Sequence, residues 1–530
     1  MSGPLVIVGD TLLDRDVDGT VERVCPDAPA PVLDERSATD RPGGAGLAAL
    51  LAAADGHDVV LVTALADDPG GARLAQLLAA AGVRVYPLPL PGATPEKIRL
   101  RAGGQVLLRL DRGGSAEPPG PPPEAVVEVL AGAAAILVSD YGRGVARQPE
   151  LRRALGATAA PVVWDPHPRG PIAVPGARLV TPNEAELHRI TGDRADGPRL
   201  PAVTRGARLV RDRWRADAVA VTLGGDGALL CHSGTTPLVV PAEPVDGGDT
   251  CGAGDRFATA AAAALAEGAL VSEAVETAVR TAASYVASGG VAGLRPDPRA
   301  AAHAGGAGDP GTGGSRPDGA KTGTPAAGGS GNGAPGNGGS GHGGPGHGGP
   351  GPGGSGHGGP TVGREAVAAV LARVRAAGGT VVATGGCFDL LHAGHVATLE
   401  AARQLGDCLI VCLNSDESVA GLKGDGRPVV SQADRARLLA ALGCVDAVLI
   451  FDESTPHAVL SWLRPDVWVK GGDYAETGGG DPGGPELPEA EQLRRWGGQS
   501  VLVPYLDGRS TTGTIAAARA NGRQLTKGRR

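Results

Sequence analysis

Through the first part of the chain, short apolar runs alternate with longer Ala- and Leu-rich stretches. Leu5-Val6-Ile7-Val8, Val59-Val60-Leu61-Val62, Ala135-Ile136-Leu137-Val138, Pro161-Val162-Val163-Trp164 and Ala218-Val219-Ala220-Val221 are continuous rather than alternating runs, the pattern of parallel strands covered on both faces. Helical stretches, such as Arg73 to Ala81 and Phe257 to Glu267, lie between them. The alternation predicts a layered α/β domain over residues 1–301. From about Gly305 to Pro360 the periodicity vanishes into repeats of Gly-His-Gly-Gly-Pro. A Gly/Pro/Ser/His tract of this kind cannot bury a core, so residues 302–361 are expected to be a disordered linker. Its coil span of about 40 Å would let the flanking halves tumble independently. Its His342, His347 and His357 are read as incidental to a spacer, with metal capture as the alternative. In residues 362–530 the α/β alternation resumes. A helix over Arg364 to Ala377 precedes a strand, Thr380 to Thr384, then a Gly-rich turn and a helix from about His395. A strand from Cys408 to Leu413, a helix from Gln432 and a strand from Val445 to Phe451 follow. That order predicts a second, doubly wound Rossmann-like domain.

Composition narrows the picture. A chain of 530 residues has room for several domains. With 2% aromatic residues and one Met, its cores must be built from Ala, Val and Leu. The net charge of −8 argues against nucleic acid and against an anionic membrane surface as partners. Phosphorylated substrates would then be held by local basic residues and helix N-termini. The seven cysteines lack regular spacing and do not form a disulfide framework. Cys408 and Cys412 sit in an apolar run and are read as buried strand residues rather than a zinc pair. No signal sequence opens the chain and no run reaches transmembrane length, so a reducing cytoplasm is the expected compartment.

Two clusters carry chemistry. In Asp249-Thr250-Cys251-Gly252-Ala253-Gly254-Asp255 a glycine turn opens an Ala-rich helix. The amides of Gly252, Ala253 and Gly254 could hold a transferring phosphate, and Asp255 could take the proton of an attacking hydroxyl. An ordinary N-cap aspartate is the simpler alternative. In the second half, Thr384-Gly385-Gly386-Cys387-Phe388-Asp389-Leu390-Leu391-His392-Ala393-Gly394-His395 forms a strand, a turn and a helix start. Gly394 would let the backbone approach a phosphate, and His392 and His395 would donate hydrogen bonds to charge developing at the α-phosphorus. Asp16-Val17-Asp18-Gly19-Thr20 fits the nucleophile pattern of haloacid-dehalogenase-type phosphatases. Without a strand ending at Asp16 it is read as a polar hairpin turn.

The first cluster resembles the signature of the ribokinase-like, PfkB-type carbohydrate kinases. Segment Val21 to Val32, Gly9-Asp10-Thr11-Leu12-Leu13-Asp14, Lys97-Ile98-Arg99 with Arg109-Leu110-Asp111, and Ser139 to Gly144 are similar to the heptose-7-phosphate kinase branch. The resemblance implies a ribokinase-like layered fold with Asp10, Asp14, Gly43 and Gly44 near the sugar. Lys97, Arg99 and Arg109 would hold its phosphate. Asn183 and Glu186 would serve magnesium and phosphate, with Glu186 facing Mg²⁺, and Thr222, Gly224 and Gly227 would form the nucleotide loop. Two departures stand out: Leu47 replaces a sugar-proximal Asn of the family, and Arg143 replaces a Lys.

The second cluster resembles the cytidylyltransferase-like nucleotidyltransferases. The resemblance implies nucleotide contacts from Gly385, Cys387, Phe388, Gly394, Lys423, Arg435, Lys470, Ser510, Thr511 and Thr512. Together the halves resemble the bifunctional heptose 7-phosphate kinase/heptose 1-phosphate adenylyltransferases. That implies ATP as co-substrate, Mg²⁺ as cofactor, sugar phosphates as substrates and a separate heptose bisphosphate phosphatase between the two steps. The alternatives are a kinase of another sugar phosphate joined to a transferase using CTP or another alcohol phosphate, or one half acting as a silent binding module. The oligomeric state, a homo-oligomer included, is left open.

Overall fold

The structure, a computed structural model, describes residues 3–293, 362–471 and 487–504, apart from residues 116, 193–197, 233, 235, 246 and 425. The first half contains β1 (Leu5–Gly9), β2 (Thr11–Val24), β3 (Pro31–Gly44), β4 (Val59–Leu65), β5 (Arg84–Pro89), β6 (Ala93–Ala102) and β7 (Gln105–Gly114). Then come β8 (Ala135–Ser139), β9 (Val162–Asp165), β10 (Leu179–Val180), β11 (Val219–Thr222), β12 (Ala228–Cys231) and β13 (Leu238–Val240). The second half contributes β14 (Val381–Gly386), β15 (Cys408–Asn414), β16 (Ala447–Phe451), β17 (Val467–Gly471) and β18 (Gln499–Val503).

The apolar runs form the expected parallel sheet, in the order β5-β4-β1-β8-β9-β10-β11, with β12 and β13 added antiparallel in turn. Val6, Ile7, Val8, Val60, Leu61, Leu137 and Val163 are completely buried, as strands covered by helices on both faces require. The helices Ala45–Ala54 and Ala253–Ala266 are dense in alanine, and their small side chains let them pack closely over β1 and β8. Strand order reverses at β1, so the crevice between the C-terminal ends of β1 and β8 is the place where a ligand is expected.

A second sheet, β3-β2-β6-β7, stands off this core. Asp16 to Thr20, read from sequence as a hairpin turn, instead lies within the fourteen-residue β2; the turn falls between β2 and β3. Their charge-rich outer parts hid these strands: β2 and β3 are buried only where they meet the core, and their far ends are exposed. β7 is exposed along nearly its whole length.

The second half is a parallel sheet in the order β16-β15-β14-β17-β18, with its switch point between β14 and β17. Cys408 and Cys412 are buried in β15 among apolar neighbours, and no metal-binding cluster occurs among the described residues.

The halves are not independent bodies. β18 continues the first sheet beside β13, with Leu502 opposite Leu238 and the Leu502 amide donating to the Pro237 carbonyl at 3.0 Å. Gln499 Nε2 donates to Thr204 Oγ1 at 2.8 Å, and Leu502 is buried in the core of the first half. Linker composition speaks to a tether's flexibility but not to the affinity of the surfaces it joins. The expectation of free tumbling therefore gives way to a docked arrangement. No described helix is long and apolar enough to cross a membrane.

Candidate active sites

The first site is built at the N-terminus of the helix Ala253–Ala266. Gly252, its N-cap, has φ 82°, a conformation that disfavours a side chain. A Cβ there would also fall 2.8 Å from Tyr285 Oη and 2.9 Å from Leu47 Cδ2. Tyr285 Oη donates to the Cys251 carbonyl at 2.9 Å and so holds the turn from below. The Ala253 amide is taken by the Thr250 carbonyl at 3.1 Å, which leaves the next amides of the first turn, Gly254 among them, to meet an anion.

Asp255, in that same turn, is buried, and burial pushes its carboxyl up to about 7. A hydrogen bond from Tyr141 and the charge of Lys97 oppose that rise; Asp14 and Glu186 add to it. A carboxylate held in this range suits a general base at neutral pH. Two neighbours were not foreseen as site residues. Tyr141 Oη lies 2.9 and 2.8 Å from the two Asp255 oxygens. Asp165, at the end of β9, is pushed well above the carboxylate range by burial and then by Asp255 and Glu186. Each follows an apolar strand run in sequence, so position at a strand's C-terminal end was the available signal.

The register of the second sheet gathers the basic residues. Asp14 pairs with Lys97 and Asp16 with Arg99, while Lys97 and Arg99 lie opposite Asp111 and Arg109. These residues therefore share one face of the sheet. Arg99 is 3.2 Å from Asp14 and 3.4 Å from Asp16, and Arg41 meets Asp16 at 2.5 Å. Arg109, on exposed β7, pairs with Asp111 at 2.7 Å. Gly43 lies against the Asp14 carboxylate, and Gly44 against the main chain of Asp10 and the ring of Tyr141.

Two of these positions have structural partners. Asp10 is engaged by backbone, accepting from the amides of Tyr141, Arg143 and Val145 at 3.1, 2.9 and 3.0 Å. It fastens the loop after β8 at the C-terminal end of β1. Leu47 is buried with Leu51, Tyr285 and Val291 beneath the Gly252 turn. It is a core residue there, in contact with the turn that opens the helix Ala253–Ala266.

Asn183 and Glu186 form a capping box on the helix Glu184–Thr191, each side chain 2.9 Å from the other's amide. Burial raises the Glu186 pKa. Thr222 bridges to Asn183, and Gly224 and Gly227 bound the turn that follows β11.

The second site lies past β14. His392 caps the helix Ala393–Arg403 and His395 sits in its first turn, with Gly394 buried between them. The two imidazoles stack at 3.9 Å, and the Phe388 ring is 5.2 Å from His395. Burial, then His392, then Lys423 push His395 down to about 4, so it is neutral at pH 7. Gly385 packs on the Trp468 ring, and Cys387 Sγ is 4.0 Å from Asn414 Oδ1. Lys470, across the switch point, is paired with Glu489 at 2.8 Å.

Arg435 differs from expectation. Its side chain is fully buried and donates to the carbonyls of Val430 at 3.0 Å, Cys387 and Asn414, and to Asp416 at 2.7 Å. It ties together the loops that frame the site instead of offering an open cation. Asp389, not singled out from sequence, plays a similar part, pairing with Arg427 and accepting from the amides of Val429 and Val430. Ser510, Thr511 and Thr512 and the linker histidines lie outside the described residues.

Comparison with known proteins agrees with this division of chemistry. Residues 4–298 match the pfkB family of carbohydrate kinases and residues 383–492 the cytidylyltransferase-like family. The bifunctional protein HldE of Streptomyces coelicolor is 49% identical over 522 residues, covering 97% of this chain and 96% of that one. The HldE protein of Azotobacter vinelandii is 35% identical over 97% of both chains. Among solved structures, Arabidopsis thaliana ribokinase complexed with ribose and ATP aligns at 22% identity with a TM-score of 0.45, covering 54% of this chain and 93% of that one.

Proposed function

The chain belongs to the HldE family of bifunctional proteins, a pfkB-type sugar kinase joined to a nucleotidyltransferase, and on that premise we propose that it makes ADP-heptose in two separated steps. Residues 1–301 phosphorylate D-glycero-β-D-manno-heptose 7-phosphate at O1. Asp255 accepts the O1 proton as that oxygen bonds to the γ-phosphorus of ATP and ADP leaves. The amides at the helix N-terminus receive the charge of the transferring group. Lys97, Arg99 and Arg109 meet the 7-phosphate.

Residues 362–530, joined through a linker at 302–361, transfer an adenylyl group. A phosphate oxygen of heptose 1-phosphate bonds to the α-phosphorus of ATP and pyrophosphate departs. That oxygen is already a nucleophile, so no base is needed. His392 and His395 stabilise the pentacoordinate charge, and the charge of Lys423 reaches His395.

Mg²⁺ fits the first site. Asp255 and Glu186 both raise the pKa of Asp165, and Glu186 raises that of Asp255, a field that welcomes a cation. Among the described residues no three acidic groups converge as ligands, so Glu186 would face an ion carried mainly by the nucleotide's phosphates. Bound there, it would neutralise charge on the leaving phosphate. We place the enzyme in the cytoplasm.

The observation that carries the reading is the buried Asp255 beside an anion-binding helix turn, in one chain with the stacked His392 and His395. After the first step phosphates stand on both O1 and O7, whereas the second step uses a sugar with a free O7. A separate bisphosphate phosphatase must act between them. The test is incubation with ATP, Mg²⁺ and heptose 7-phosphate, with and without such a phosphatase. The bisphosphate should accumulate alone, and ADP-heptose should form only with the phosphatase. No phosphorylation of the sugar would overturn the substrate, and ADP-heptose without the phosphatase would overturn the division of steps.

A further inference from the structure

The loop between β8 and the helix Pro149–Ala157 is held with more hydrogen bonds than a connection needs. Asp10, at the end of β1, accepts three of its amides, those of Tyr141, Arg143 and Val145. Asp140 Oδ1 accepts a fourth, from Gly142, at 2.8 Å. What this clamp presents is Tyr141. Its ring lies against Gly44, where an added Cβ would come within 3.3 Å of it. Its hydroxyl reaches both oxygens of Asp255, at 2.9 and 2.8 Å. The clamp thus spans the switch point and ends on the carboxylate read above as the base.

We propose that Tyr141 is a positioning residue of the phosphorylation step, its hydroxyl fixing the Asp255 carboxylate and then keeping one oxygen while yielding the other to the sugar O1–H. The inference rests on the reading of Asp255 as the base.

The geometry explains why such a device is needed. Asp255 is buried, which favours its neutral form, and a protonated carboxyl cannot accept the sugar's proton. The groups facing it are mixed in sign. Lys97 favours the ionised form, while Asp14 and Glu186 disfavour it, and Asp165 is itself pushed toward its neutral form by burial and by Asp255. Burial raises the Tyr285 pKa, and the thiol of Cys251, on the exposed turn, is pushed up as well, so both stay neutral. The Tyr141 hydroxyl is the hydrogen-bond donor on the carboxylate, and a donor stabilises the ionised form. Tyr141 itself is pushed well above its usual range by burial and by Asp255, so it remains a donor across the working range. With Tyr141 on one oxygen, the other has a fixed lone-pair direction for the sugar hydroxyl. As the proton moves from O1 to Asp255, the O1–phosphorus bond forms and ADP leaves; Tyr141 loses no proton.

The test is Tyr141→Phe in the full chain, assayed with ATP, Mg²⁺ and heptose 7-phosphate from pH 5.5 to 9.5. Asp255→Asn is run in parallel and adenylyl transfer serves as internal control. In the wild type the acid limb of kcat should fall near 7. In the Phe variant it should move up by about one pH unit, the scale of one charge-assisted hydrogen bond. That makes kcat about fivefold lower at pH 7 while both KM values change less than about twofold. Activity should recover toward wild type near pH 9. Adenylyl transfer should be unchanged in both variants. A Phe variant with an unmoved acid limb, or with an equal loss at every pH, overturns the proposal even if Asp255→Asn is inactive. An active Asp255→Asn variant overturns the underlying reading of the base as well.

Discussion

Asp255 and His395 are both moved from their ordinary pKa by burial, with opposite consequences for work at neutral pH. Asp255 is raised to about 7, so kinase turnover should fall as pH drops through that value. The sign for stability is reversed. The folded protein holds this proton more tightly than the unfolded chain, so the stabilisation present at low pH is lost as pH rises from about 4 to 7. His395 is lowered to about 4. Its contribution is complete above about 6.5 and lost as pH falls toward 4. Adenylyl transfer should therefore show no acid limb from His395 between pH 6 and 8, which a pH profile of pyrophosphate release checks. Asp255→Asn should abolish phosphorylation and spare adenylyl transfer. His392→Ala or His395→Ala should reduce adenylyl transfer by about a hundredfold or more, the scale of one lost charge-stabilising donor, and leave the kinase untouched. Leu47→Asn would place an amide among Leu51, Tyr285 and Val291. It should cost about 1–3 kcal/mol of stability, seen as a lower midpoint in denaturant, with no gain in kinase efficiency.

At the scale of elements, both sites are helix N-termini set at the C-terminal end of a parallel sheet, and each is braced from outside the motif. The Gly252 turn rests on Tyr285 and Leu47, and the segment around Cys387 and Phe388 rests on Arg435. Gly252→Ala should be more damaging than a surface Gly→Ala. It would impose a side chain at φ 82° and collide with Tyr285 Oη; a loss of at least about 1 kcal/mol and of kinase turnover is expected. Kinase assays beside thermal unfolding would separate the two losses. The glycine motifs and the apolar strand runs were legible in the sequence because backbone chemistry fixes them locally. The second sheet was not: the outer parts of β2, β3, β6 and β7 are rich in charge and largely exposed, so little of their length is the continuous buried run that marks the first sheet.

For the whole molecule the seam between the halves matters most. β18 covers the edge of β13, and Leu502 is buried against Leu238. Separate pieces, 1–301 and 362–530, should each retain turnover, since no residue assigned to one site comes from the other half. Each should unfold at a lower temperature than the joined chain, because a sheet edge and its apolar neighbours become exposed. Calorimetry on the pieces, apart and mixed, tests this. Unfolding unchanged by separation would mean that the seam adds nothing to stability.

The sequence by itself determined the two parallel sheets, the two helix starts and the residue types placed there. Continuous apolar runs and glycine turns are local signals whose meaning does not depend on distant partners. Only the tertiary structure decided the company those residues keep. Asp10 became a clamp on a loop more than a hundred residues away, and Tyr141 a partner of Asp255. Leu47 became a floor beneath a glycine turn, Arg435 a buried tie, and two halves joined by a tether became neighbours in one sheet. Those roles depend on which donor meets which acceptor across the fold, and register and burial set that, not the order of residues along the chain.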